Sequence, residues 1–167
     1  NAATVNSIAI GLNATVITNN QGVSIGANSS SNGGQSVSLG VSAVSSGNKS
    51  VSIGYHSDAT LIDGIAIGNA AQATSNFAIA IGTNATVSTN SQGVSIGNAS
   101  SSTGGRGVAL GASSVSTGLE SISVGYLSNT NSTYGIALGR SMVATATNAI
   151  MIGGSSATRT NSTSSSL

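Results

Sequence analysis

A five-residue motif that recurs eleven times constrains this chain more than any other feature. The motif is (Ser/Gly/Ala)-(Val/Ile)-(Ser/Ala/Met)-(Ile/Leu/Val)-Gly, and its glycines are Gly11, Gly26, Gly40, Gly54, Gly68, Gly82, Gly97, Gly111, Gly125, Gly139 and Gly153. These glycines are 14 residues apart except for two intervals of 15 residues. A short, fixed period of this kind is typical of a solenoid, in which each repeat forms one coil and becomes stable only by stacking on its neighbours. The sequence therefore predicts about eleven coils of 14–15 residues.

A longer period lies above the short one. Residues 8–78 match residues 79–149 at 40 of 71 positions, and the 15-residue interval occupies the same place in both segments. We therefore interpret 8–78 and 79–149 as two super-repeats followed by a final coil. On this basis we predict a repetitive head over 1–158 and a flexible tail rich in Ser, Thr and Asn over 159–167.

Each coil is predicted to contain two strands. Val, Ile or Leu stands one and three residues before every motif glycine, with a small residue between, and this alternation of period two indicates a strand. The glycine ends the strand, as a turn with positive φ or a close backbone approach requires. Three and five residues after the glycine comes a second alternating pair, mostly Ser or Ala, as in Ser57 and Ala59. The predicted fold class is all-β, a parallel β-solenoid.

The direction of the side chains is predicted from hydrophobicity. We expect the aliphatic pairs to point into the coil against the small pairs of the second strand, so that Ile25→Asp or Ile96→Asp prevents folding. The small residues between the aliphatic ones would then lie on an open face where subunits can approach closely. On that prediction the chain oligomerises along the rod axis and Ser38→Trp breaks the assembly.

Composition excludes several classes of protein. Asn, Ser, Thr and Gly make up 91 of 167 residues, but disorder also needs low hydrophobicity and high net charge, and here mean hydropathy is +0.25 and net charge is +1. The few scattered cations give no footprint for nucleic acid. No apolar run is long enough to insert into a membrane. The absence of cysteine excludes disulfides and thiolate metal sites.

The segment from His56 to Asp58 contains the residue types of a hydrolase triad. Triad members converge in space, whereas neighbours in a strand point to opposite faces, and the equivalent segment of the second super-repeat is Leu127-Ser128-Asn129. We therefore predict no enzymatic activity. With two Asp, one Glu and one His in the chain, we also predict no metal site and no cofactor. The pairs Gly33-Gly34 and Gly104-Gly105 are interpreted as structural turns and not as phosphate cradles, because no Lys-Ser/Thr follows them.

One polar file of residues is a candidate contact surface. Six residues after the glycine, from the second coil on, the side chains are hydroxyls or amides, and the predicted surface-contact ladder consists of Ser46, Thr60, Thr74, Ser88, Thr103, Thr117 and Thr145. The simplest interpretation is a solvated strand face; the alternatives are recognition of glycan or protein, or ice binding. The mixed file four residues after the glycine is unfavourable for ice binding. Tyr55 and Tyr126 follow the glycine in equivalent coils and are candidate aromatic contacts or turn caps.

The repeats are similar to those of a known family. SVSIG followed by YHSDA at 50–59, and GIAIG followed by NAAQA at 64–73, resemble the head of the YadA-like trimeric autotransporter adhesins, and the resemblance covers roughly 6–158. It implies a left-handed parallel β-roll, a homotrimer, and display on the outer surface of a Gram-negative cell. It also implies adhesion to extracellular matrix protein, glycan or another cell-surface ligand. The heptads of that family's stalk are absent from this sequence, and its charge is low.

The function expected from the resemblance is that of a surface-exposed adhesin head, which binds through many weak contacts. A rigid fibre segment of a virus, a phage or a cell-surface filament is the alternative, because such fibres use similar rolls. An ice-binding solenoid is the third hypothesis.

Overall fold

The computed structural model describes residues 6–17, 21–89 and 92–154, and these form a parallel β-solenoid. The first sheet has eleven strands of three residues, numbered oddly in chain order: β1 (Ile8–Ile10), β3 (Val23–Ile25), β5 (Val37–Leu39), β7 (Val51–Ile53), β9 (Ile65–Ile67), β11 (Ile79–Ile81), β13 (Val94–Ile96), β15 (Val108–Leu110), β17 (Ile122–Val124), β19 (Ile136–Leu138) and β21 (Ile150–Ile152). The predicted fold class and number of coils are confirmed. The tail predicted over 159–167 lies outside the described residues.

The second sheet has ten strands of two residues, which alternate along the chain with those of the first sheet. They are β2 (Thr15–Val16), β4 (Ser30–Ser31), β6 (Val44–Ser45), β8 (Asp58–Ala59), β10 (Gln72–Ala73), β12 (Thr86–Val87), β14 (Ser101–Ser102), β16 (Val115–Ser116), β18 (Asn129–Thr130) and β20 (Val143–Ala144). Every strand pairs in parallel with the corresponding strand of the next coil, so that equivalent residues stand in files along the rod.

The register shows where the 15-residue coil takes its extra residue. Thr15 pairs with Ser30 and Val16 with Ser31, a separation of 15, whereas Val23 pairs with Val37, a separation of 14. The additional residue therefore lies between Val16 and Val23, and both sheets keep an unbroken register. Stacking at roughly 4.8 Å per coil makes the rod about 50 Å long.

The first turn explains the motif glycine. The ten glycines from Gly11 to Gly139 have φ between 125° and 141°, a region that L side chains rarely adopt. A Cβ on Gly54 would also overlap the carbonyl oxygen of Gly68 in the next coil. Both reasons predicted for this glycine are therefore present. Two residues further on, the chain is again left-handed, as at His56 with φ 51°, so the turn combines two positive-φ positions.

The predicted orientation of the first strand is wrong. The small central residues, such as Ser38, Ser52 and Ala66, are 0% exposed and line the interior of the coil. The aliphatic residues on either side point outward, and even Leu39 and Ile96, in the body of the rod, are 41% and 39% exposed. In most coils the two sheets are too close for larger side chains at these central positions, as where Oγ of Ser52 lies 2.7 Å from Oγ of Ser57; Met151 of the last described coil is the exception.

The reversed orientation of the first strand also corrects the predicted effects of substitutions in this strand. Ile25→Asp and Ile96→Asp would alter outward-facing side chains and not a core, because both residues flank an inward serine. Ser38→Trp would place an indole inside the coil, where the Ser38 hydroxyl donates to the Ala43 carbonyl at 2.6 Å. That substitution tests the fold and not a subunit contact.

The second strand has the predicted orientation. Its inward residues three and five after the glycine are buried in every described coil, as for Ser57 and Ala59. Where an inward residue of the second strand is large, the residue facing it is small. Gly22 faces Val16 in this way, since a Cβ on Gly22 would lie only 2.6 Å from Cγ1 of Val16. The interior is therefore filled mostly by small side chains, with larger ones such as Val16, Val87 and Met142 in a few coils, which satisfies the close packing of protein interiors.

Candidate functional site

The surface-contact ladder lies on the outside of the second sheet, just beyond the ends of its strands. Thr60, Thr74, Ser88 and Thr103 are half-buried, whereas Ser46, Thr117 and Thr145 are exposed. The backbone continues the pairing here, since the N–H of Thr74 donates to the Val87 carbonyl at 2.9 Å and the N–H of Thr117 to the Thr130 carbonyl at 2.8 Å. The residues therefore form the single row that the sequence predicts, and their role in binding stays a prediction.

A second file runs beside the ladder and contains two unsatisfied acceptors. Asp58 and Asn129 occupy equivalent positions in the two super-repeats, and in each the Oδ1 atom is buried with no hydrogen-bond partner. Asp58 stands between Val44 and Gln72 of the neighbouring coils. Burial raises the pKa of the Asp58 carboxyl above its ordinary value, because loss of solvation disfavours the charged form.

The second turns of the first super-repeat line a recess that is open to solvent, which we call the amide recess. It has a volume of about 660 Å³ and is lined by Gln21, Asn32, Gly33, Gly34, Gln35, Ser46 and Asn48. Nε2 of Gln35 donates to Oε1 of Gln21 at 3.1 Å on its rim. Sequence reasoning missed this recess, although the pair Gly33-Gly34 was the signal for it: a Cβ on Gly33 would overlap the Gly47 carbonyl. Because the close approach of the next coil requires glycine at this position, the turn has no side chain there, and this leaves space for the recess.

The candidate aromatic contacts stand in the first turn and have neighbours of different chemistry. Tyr55 and Tyr126 are each about half exposed. The Tyr55 ring meets the His56 imidazole edge to face, with ring centroids 4.2 Å apart. The guanidinium carbon of Arg140 lies 5.8 Å from the centroid of the Tyr126 ring, within reach of a cation–π interaction. Both rings are accessible, and their ring contacts within the described part of the chain are to His56 and Arg140, not to the ladder.

The residues from His56 to Asp58 do not form a triad. His56 is exposed, whereas Ser57 is buried and its hydroxyl hydrogen-bonds to Ser52 and to the Gly54 carbonyl. Nucleophile and base thus lie on opposite sides of the backbone. Within 6–17, 21–89 and 92–154, no group of three or more metal-binding side chains is found. The same residues contain no helix long and apolar enough to cross a membrane.

The outward face of the first sheet is an aliphatic strip, which sequence reasoning placed inside the coil. One of its two files consists of Ile10, Ile25, Leu39, Ile53, Ile67, Ile81, Ile96, Leu110, Val124, Leu138 and Ile152; the other consists of Ile8, Val23, Val37, Val51, Ile65, Ile79, Val94, Val108, Ile122, Ile136 and Ile150. All 22 residues are Val, Ile or Leu. A continuous apolar strip along a rod is typical of a surface that another chain covers.

Comparison with known proteins identifies the repeats. The family model for the YadA head domain repeat matches residues 31–57, 62–85 and 116–141. The fold is similar to the crystal structure of the collagen-binding domain of the Yersinia adhesin YadA, with a TM-score of 0.66 and 22% sequence identity. That match covers 95% of this chain and 87% of the other. None of the curated proteins matches this sequence.

Proposed function

We propose that this chain, a YadA-like head domain, attaches a cell to extracellular matrix or to other surfaces as one of three identical chains of a cell-surface adhesin. The observation that carries the proposal is the division of the rod into an aliphatic strip and a polar sheet. A chain with one apolar side and one hydrated side can cover the first by association and present the second to a ligand. The head binds and does not catalyse.

The aliphatic strip supports association of identical chains. Fully burying a Val, Leu or Ile side chain contributes about 1.5–3 kcal/mol, and in the single chain these side chains are only partly shielded. Because the strip is a straight repeat about 50 Å long, copies aligned in parallel would meet at every coil. Three copies that share one axis would bury their strips together and leave the second sheets outside.

The polar sheet supports weak contacts repeated many times. Its ladder offers a hydroxyl or amide at nearly every coil, and a trimer would present three such rows. Linked weak contacts raise the overall affinity without any single strong site. The similar Yersinia domain is described as collagen-binding, and for this chain we propose a matrix protein of that kind as one ligand.

The test combines mass and binding. Light scattering should give about three times the chain mass of 15.9 kDa. The same sample should bind immobilised collagen or host cells, and the variant Thr60→Lys/Thr74→Lys should bind less while keeping its mass. The variant Asn131→Lys/Thr145→Lys changes the equivalent two positions of the second super-repeat and gives the matched measurement. A trimer that binds nothing would favour the rigid fibre segment, to which the uniform stacking of coils is also suited.

A further inference from the structure

We infer that the amide recess is a binding site for a neutral saccharide. The inference rests on the proposed function, since it names a class of ligand for the adhesin head, and it assigns that ligand to one place on the first super-repeat. Its volume of about 660 Å³ is sufficient for a small ligand, and because the recess is open to solvent such a ligand would lie against the surface of the rod.

The lining of the recess has the hydrogen-bonding character of a sugar site. Gln21, Gln35 and Asn48 contribute carboxamides, each with two donor hydrogens and an acceptor oxygen, and Ser46 adds a hydroxyl. No charged side chain lines the recess. A ligand matched to it therefore carries many donors and acceptors but no net charge, which describes a neutral polyhydroxylated molecule.

The backbone around the recess argues against an extended peptide. Peptides that add to a sheet need unpaired N–H and C=O groups at its edge. Here the N–H groups of Asn32 and Gly33 both donate to the Ser45 carbonyl, at 2.8 and 3.2 Å, and the Gly34 carbonyl accepts from the N–H of Lys49 at 2.8 Å. The lining residues are all amides, serine or glycine, so no apolar side chain is available to anchor a peptide side chain either.

The second super-repeat provides an internal contrast at the same place. It keeps the glycine pair as Gly104-Gly105, but Gln35 is replaced by Arg106 and Asn48 by Leu119. Nη1 of Arg106 pairs with Oε1 of Glu120 at 2.7 Å. An arginine held in an ion pair therefore stands where the first half has Gln35, and a leucine where it has Asn48, which leaves one saccharide site per chain.

The experiment uses the full chain on an array of neutral oligosaccharides of glucose, galactose and N-acetylglucosamine, with sialylated counterparts. We expect binding to neutral members. The variant Gln35→Arg/Asn48→Leu should weaken that binding at least tenfold; these side chains are already accommodated at the equivalent positions, so the coil should fold. The reciprocal variant Arg106→Gln/Leu119→Asn should raise the number of sites from one to two per chain in calorimetry.

Three outcomes would overturn the inference: no neutral oligosaccharide bound, binding unchanged in Gln35→Arg/Asn48→Leu, or loss of collagen binding in that variant with no effect on sugars. The last outcome would assign the recess to a peptide. Failure of this inference is distinguishable from failure of the proposed function. A trimer that binds collagen but no sugar contradicts only the saccharide site, and a monomer that binds sugar at the recess contradicts only the assembly.

Discussion

The outward faces of the two sheets differ completely, although the same interior supports both. Outside the first sheet every residue is Val, Ile or Leu, whereas the row outside the second sheet holds Thr, Ser, Asn, Asp and Gln among a few Val. Inside, both sheets present mostly Ser and Ala, and both stack in the same register. The interior and the turns therefore define the backbone, which leaves the outward files to determine what the rod contacts.

This comparison separates the requirements of folding from those of association. The apolar part of the interior is mostly alanine, in two clusters around Val87 and Met142. Much of the remaining interior consists of hydroxyl pairs, such as Ser31 with Ser36 and Ser45 with Ser50, each 2.6 Å apart. Such hydrogen bonds add only about 0.5–1.5 kcal/mol each. The apolar surface that usually stabilises a domain lies on the outside instead, on one side only. Stability and assembly are therefore expected to be coupled.

The largest effect is expected inside the coil. Ser52→Leu should unfold the chain, because a leucine cannot fit where Oγ of Ser52 is 2.7 Å from Oγ of Ser57. Overpacking costs about 1–3 kcal/mol or more, and the hydrogen bond is lost as well. Thermal melting followed by circular dichroism measures the effect. The outward neighbour provides the control, since Ile53→Leu should melt close to the wild-type temperature. Equal melting of both variants would contradict the orientation of the first strand.

The second effect distinguishes the two outward faces. Ile67→Asp should lower the mass measured by light scattering from the assembly toward 15.9 kDa, because carboxylates from each chain would be buried against one another. Thr74→Asp, on the outside of the second sheet, should leave the mass unchanged. If Thr74→Asp dissociated the assembly and Ile67→Asp did not, the subunit contact would belong to the other sheet.

A smaller effect concerns the interior that both faces share. Ser52→Ala should cost about 0.5–1.5 kcal/mol, and Ser57→Ala should cost more, because its hydroxyl also donates to the Gly54 carbonyl. The double variant should cost little more than Ser57→Ala alone, because both changes remove the hydrogen bond between the two serines. The next coil already has Ala66 and Ala71 at these positions, both fully buried. Chemical denaturation of the wild type and the three variants gives the coupling free energy between the two hydroxyls. Strict additivity would mean that the hydroxyl pair contributes nothing as a pair.

The smallest effect is on the polar face. The pKa of Asp58 is raised by burial, so the folded state favours the protonated carboxyl; the stabilisation is complete below the ordinary value of 3.8 and is lost as pH rises through the raised pKa. Asp58→Asn, which reproduces Asn129, should therefore raise the melting temperature slightly at neutral pH and leave it unchanged in acid. A variant that melts lower at neutral pH would indicate an ionic partner for this carboxylate.

Much of the candidate surface followed from the repeat alone. A fixed period places equivalent residues in one file, so the row from Ser46 to Thr145 could be predicted without coordinates. The burial of Ser57 opposite an exposed His56 also followed from alternation. The amide recess could not be predicted in this way, since it depends on the space left between Gln21, Gln35 and Asn48, which come from different coils.

By itself the sequence determined the period, the two strands of each coil, the need for glycine at the first turn, and the inward residues of the second strand. Only the tertiary structure decided which way the first strand faces. Alternation establishes that a strand has two unlike faces, but it does not say which one is enclosed, and hydrophobicity suggested the wrong one. The width of the coil determines the orientation, because the gap between the sheets accommodates Ser52 or Ala66 but not Ile53. The large apolar residues therefore lie outside, where another chain can cover them.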